Sequence, residues 1–127
     1  MKKRRYQELD VGPHASGWVI HWEVGSDTGW HDHGGSKVTI VVTSGLLYEE
    51  YREIGEVEAM VRRSGPGDRI TLPAEFQHRV IPEVPCVAIH IYTPKLEVMN
   101  IFEPDGTWVR AQDAEKELQE YRDTYVR

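Results

Sequence analysis

Cysteine occurs once in 127 residues, at Cys86, and phenylalanine twice. A single thiol excludes an intrachain disulfide framework. Set in the apolar run CVAIHIY, it reads as a small buried hydrophobe. Long hydrophobic runs are lacking too, and nothing approaches the roughly 20 apolar residues of a membrane-spanning helix. Cations are outnumbered, 15 Lys and Arg against 21 Asp and Glu, for a formal net charge of −6. Nucleic acid is therefore not expected as a partner, since phosphate contacts need clustered Lys and Arg. The one basic cluster, Lys2-Lys3-Arg4-Arg5, is followed by YQELDVGPH and not by the apolar core of a signal peptide. A solvated N-terminal stretch on a cytoplasmic protein with no membrane partner is the expectation.

What is present is a globular composition, 39% hydrophobic and 28% charged, at a length that suits one domain. Glycines and prolines punctuate it at short intervals, and between them lie short runs rich in Val, Ile, Trp and Tyr. GWVIHWEV (17–24) alternates, with Trp18, Ile20, Trp22 and Val24 on one face. KVTIVVT (37–43) does the same with Val38, Ile40 and Val42. LLYEEY (46–51) and VEAMVRR (57–63) read as a hairpin across REIGE. RITL (69–72), HRVI (78–81), CVAIHIY (86–92), VMNIFE (98–103) and TWVR (107–110) complete a series of strands with turn signals between them. Many short strands imply a sandwich or barrel. The tail differs: it has no Gly or Pro after Gly106, Asp113 can cap a helix, and Leu118, Tyr121 and Tyr125 share one helical face. The expected organisation is one all-β domain, with an N-terminal arm over 1–16, a β-barrel over 17–110 and a helix over 113–127.

Six histidines are present, two of them one residue apart in TGWHDHGGSKV (28–38). On an extended segment, His31 and His33 point to the same side and can converge on one ion. His78, after LPAEFQ, is the natural third ligand. Three neutral imidazoles leave coordination positions open, as catalytic metal sites require. The bland alternative is a polar turn at His31 and His33, with His78 on a surface strand. His14 reads as polar surface, His21 as structural, and Trp30 as either a pocket wall or a core residue.

Spacing sharpens this reading. Gly25 stands six before His31, Gly45 seven after Val38, and Gly67, Pro73 and His78 follow at intervals of six and five. The pattern resembles the two motifs of the cupin superfamily, with three departures. The Glu that is often a fourth ligand falls on Lys37 or Val38, a motif Gly is Glu75, and a motif Asn is Pro82. Loss of that Glu, together with WVIHWEVGSDTGWHDHGGS (18–36), HRV (78–80) and AIHIYTPKLEVMNIFEPDGT (88–107), resembles the cysteine dioxygenase family of thiol dioxygenases. The resemblance runs in order from about residue 4 to residue 107.

It implies a small cupin jelly-roll with one C-terminal helix, Fe(II) held by His31, His33 and His78, and a small thiol such as cysteine oxidised by O2 to its sulfinate. By matched position His90 and Tyr92 inherit catalytic roles, with the Tyr92 hydroxyl directed at the substrate. Ala88 stands where the family has Ser, which shortens the hydrogen-bond relay by one member. Val38 stands where some members have a cross-linking Cys, which excludes that cross-link. A substrate carboxylate calls for an Arg fork. Counting back reaches Arg5, with Arg4, Arg69 and Arg79 as alternatives. Other readings of the same scaffold are a three-His zinc or nickel hydrolase or isomerase, and a non-catalytic metal- or ligand-binding cupin. Exposed sheet edges make a homodimer plausible.

Overall fold

The computed structural model describes residues 3–53 and 55–122. Eleven strands and one helix follow in order: β1 Arg4–Leu9, β2 Ser16–Trp22, β3 Trp30–Asp32, β4 Lys37–Ser44, β5 Leu47–Arg52, β6 Met60–Ser64, β7 Arg69–Leu72, β8 Gln77–Val80, β9 Cys86–Thr93, β10 Val98–Phe102, β11 Trp108–Asp113 and α1 Ala114–Tyr121. They form two antiparallel sheets, a five-stranded one ordered β1-β2-β9-β4-β7 and a six-stranded one ordered β11-β10-β3-β8-β5-β6. This is the all-β jelly-roll expected from the turn-punctuated strands.

Alternation along each strand builds the core. Ile20, Val38, Ile40, Val42 and Leu72 from the first sheet meet Leu47, Val80 and Met99 from the second, all buried. The chain crosses between sheets from β4 to β5 at Gly45, which has φ +76°. A Cβ there would lie 2.0 Å from the Pro85 carbonyl oxygen, so only glycine fits this corner.

The ends of the chain differ from expectation. The stretch read as an N-terminal arm contains β1, which pairs with β2 from Arg4 opposite Trp22 to Leu9 opposite Gly17. Alternation at β1 is weak because Tyr6 is its one buried residue. The barrel therefore spans residues 4–113 rather than 17–110. Val24 does not join the Trp18/Trp22 face, because β2 ends at Trp22 and a turn at Gly25 leaves Val24 exposed. The helix starts where expected, with the Asp113 side chain accepting from the Glu115 amide at 2.9 Å. It ends at Tyr121; residues 123–127, and Tyr125 with them, lie outside the described residues. Leu118 is buried and Tyr121 packs against the core. No described helix is long and apolar enough to cross a membrane.

Candidate metal centre

β3 and β8 are neighbours in the six-stranded sheet, and their register sets His31 directly opposite His78. His33 follows just past the end of β3. Its position depends on Asp32, whose Oδ1 accepts from the Gly34 amide at 2.9 Å and from Asn100 Nδ2 at 3.0 Å. The turn closes with the Ser36 amide donating to the His33 carbonyl at 3.0 Å. The result brings His31, His33 and His78 together, with one ligand atom from each lying within 4.8 Å of the other two. All three are buried.

The donor chemistry of this cluster fits a metal ion. His31 Nδ1 lies 3.0 Å from the Gly29 carbonyl and His78 Nδ1 lies 2.8 Å from Glu49 Oε2. Both acceptors require Nδ1–H, which leaves the Nε2 lone pairs for a metal. Burial, reinforced by the neighbouring imidazoles, holds His31 and His33 well below the ordinary histidine range, so both are neutral, as ligands must be. The three residues form a metal-binding site.

The opposite wall comes from the five-stranded sheet. On β9 the residues Cys86, Ala88, His90 and Tyr92 alternate inward, and all four are buried. The Tyr92 ring lies 5.3 Å from that of His33, centroid to centroid. Its hydroxyl is 3.4 Å from His90 Nδ1, a long contact, and His90 Nε2 has no partner among the described residues. Burial pushes the Tyr92 hydroxyl far up and His90 down to about 3, so both are uncharged. Tyr6, Trp18 and Tyr92 form an aromatic ladder across β1, β2 and β9, with centroids 4.9 and 5.2 Å apart. A cavity of about 230 Å³ runs from the three histidines past this wall.

Arg5 is not in the cavity. Alternation along β1 sends Tyr6 and Arg4 inward, while Arg5 faces out beside His21, with Nη2 3.4 Å from His21 Nδ1. Arg4 lines the cavity instead. Its Nη2 donates to Glu117 at 3.2 Å, its guanidinium stacks 4.0 Å from the Tyr121 ring, and its Nε has no partner among the described residues. Gapless counting from the motif reaches the outward-facing residue of the pair, because a one-residue step along a strand inverts the face. Arg69 is exposed, and Arg79 is engaged by Asp27 and Glu50 at 2.8 and 3.1 Å. Trp30 is buried under Arg52, 4.0 Å from its guanidinium, and is a structural residue. Val38 is buried opposite Tyr92 in the sheet register, at the place a cross-linking cysteine would need. Cys86 sits six residues away along β9, and burial raises its thiol to about 11.

Two residues of the site escape sequence reasoning. Glu117 reaches the cavity from α1 and accepts from the Tyr6 hydroxyl at 2.6 Å and from Gln112 at 2.7 Å. Nothing in the charge-rich run EKELQEYRD marks it out from its exposed neighbours. Glu49 holds His78, and here a signal exists. Leu47, Glu49 and Tyr51 share a face of β5, so an acid stands on an apolar stripe.

Comparisons with known proteins identify the family and the fold. The family model described as cysteine dioxygenase type I matches residues 1–67. No curated protein sequence matches the chain. Solved structures share its fold. KdgF from Halomonas sp. is 20% identical with a TM-score of 0.63, over 74% of this chain and 82% of that one. A double-stranded β-helix protein from Klebsiella pneumoniae is 15% identical with a TM-score of 0.61, over 87% and 86%. A cupin superfamily protein from Desulfitobacterium hafniense is 11% identical with a TM-score of 0.60, over 72% and 77%.

Proposed function

Because the chain belongs to the cysteine dioxygenase type I family, we propose that it is an iron(II)-dependent dioxygenase converting a small thiol to its sulfinate. One observation carries this reading. Three buried imidazoles, with no carboxylate among them, face Tyr92 and His90 across a single small cavity. A ligand set without negative charge leaves the full charge of a divalent ion available to an incoming thiolate, and coordination lowers a thiol's pKa. When bound, iron(II) supplies the redox chemistry, with O2 as oxidant and both of its atoms transferred to sulfur (R–SH + O2 → R–SO2H).

The chain's own residues bind and orient. Tyr92, kept protonated by burial, offers a hydroxyl proton beside the histidines. Neutral His90 restrains that hydroxyl from behind. The aromatic ladder and the buried strands exclude bulk water, which strengthens each polar contact within. Arg4, whose Nε has no partner among the described residues and whose Nη1 reaches the Asp27 carbonyl at a long 3.5 Å, is the cation for a substrate carboxylate.

Oxygen uptake by the iron(II)-loaded protein tests the reaction, with cysteine, 3-mercaptopropionate and cysteamine as substrates and sulfinate identified by mass. Arg4→Ala is expected to raise KM for the carboxylate-bearing thiols at least tenfold, in keeping with roughly 1.5–3 kcal/mol for a charged hydrogen bond. Cysteamine should be little affected, and Arg5→Ala should change none of the three. Zinc occupancy with no oxygen uptake on any thiol would sink the dioxygenase reading.

A further inference from the structure

The carboxylate missing from the ligand set is present one hydrogen bond away. Glu49 Oε2 lies 2.8 Å from His78 Nδ1, with the Glu49 side chain fully buried and that of His78 nearly so. The other oxygen, Oε1, takes a close contact from Arg62 Nε. Arg62 in turn lies over the Tyr51 ring at 4.4 Å. The three histidines thus have graded support at Nδ1: a carboxylate for His78, a backbone carbonyl for His31, and no partner for His33 among the described residues.

We propose that Glu49 is a positioning residue of the metal centre, fixing His78 to bind through Nε2 and making it the strongest donor of the three. A carboxylate that accepts the Nδ1–H of a ligating imidazole sets its tautomer and ring plane and raises its basicity. The carboxylate stays outside the ligand set, so the coordination positions needed by a substrate stay open. Both carboxylate oxygens of Glu49 have a partner, Oε2 on His78 and Oε1 on Arg62, so the buried carboxylate is fixed on both sides. A purely structural role explains the residue poorly. Buried ion pairs are seldom more stabilising than apolar residues of the same size, and the stripe that Glu49 interrupts runs from Leu47 to half-buried Tyr51. Its contact with a metal ligand gives the acid a reason to be there.

The inference rests on the metal role of the three histidines and is independent of the reaction they serve. The test therefore uses cobalt(II), whose visible spectrum reports its ligand field, and no oxygen. In the full chain, Glu49→Gln keeps the shape and removes the charge. It is expected to weaken cobalt(II) binding about 10- to 100-fold, measured against a competing chelator, and to shift the visible bands. Wild-type affinity and bands in Glu49→Gln, whatever its melting temperature, would overturn the proposal. If Glu49→Gln does not fold, wild-type protein loaded with zinc and labelled with 15N-histidine decides. The expected result is a His78 Nδ1 proton far downfield of that of His31 and slow to exchange. A His78 bound through Nδ1, or an Nδ1 proton no different from that of His31, would refute it. A positive result beside a failed oxygen-uptake assay leaves Glu49 in its role and removes only the dioxygenase reading.

Discussion

Glu75 is the one described residue other than glycine with positive φ, at +64°. The cupin pattern has glycine at this place, and the backbone keeps the glycine conformation under a side chain that resists it. The conformation has a use: it aims the Glu75 amide at the Gly34 carbonyl, 3.1 Å away, which ties the turn before β8 to the turn that carries His33. An L-residue in this region costs about 1–2 kcal/mol, partly offset by the lower chain entropy it brings to the unfolded state. Glu75→Gly should therefore stabilise the protein by about 1 kcal/mol in urea denaturation, with the metal site unchanged. A destabilisation of similar size would mean that Glu75 makes a compensating contact and is not strained.

Among the elements, α1 does more than cover the sheet edge. Its Glu117 is buried and gathers Tyr6, Arg4 and Gln112, so the helix helps hold β1 and the cavity wall. Removing one partner of a buried ion pair costs roughly 3–5 kcal/mol, whereas losing an N-cap costs about 1 kcal/mol. Glu117→Ala should accordingly lower stability several times more than Asp113→Ala in parallel denaturation curves. Equal losses would make the helix a surface addition. These two positions also mark what a sequence can disclose. Asp113 is readable because capping is local chemistry, decided by the residues beside it. Glu117 is not, because Tyr6 and Arg4, the partners that bury it, lie more than 100 residues away on β1. The same division holds elsewhere. Strand alternation located β4 and β9, and the spacing of His31, His33 and His78 located the buried cluster. The inward residue of β1 depended on a register of one residue, which spacing from a distant motif cannot resolve, so counting reached Arg5 and not the inward-facing Arg4. The acid on the apolar stripe of β5 was legible in principle, and only the pairing of β5 with β8 brings it against His78.

For the whole molecule, the burial of so many neutral imidazoles makes stability fall with pH in a definite window. His90 is pushed down to about 3 by burial, with His31 and His33 lowered in the same direction. An unfolded histidine titrates near about 6.5. Below that value the unfolded chain takes up protons that the folded one refuses. The stabilisation is thus complete above about pH 6.5 and is lost as pH falls toward the folded values, at about 1.4 kcal/mol per pH unit for each histidine. His90→Gln should remove one proton from that slope in thermal melts of the metal-free protein between pH 6.5 and 4. The same burial prepares the metal site. Two exposed imidazoles would lose about a hundredfold in metal affinity between pH 7.5 and 5.5, because protons compete for both. His31 and His33 already refuse those protons in the folded protein, so the cobalt(II) dissociation constant should rise no more than about tenfold over that range. A hundredfold rise would mean that the histidines are protonated in the metal-free state, and that the metal, not the fold, makes them neutral.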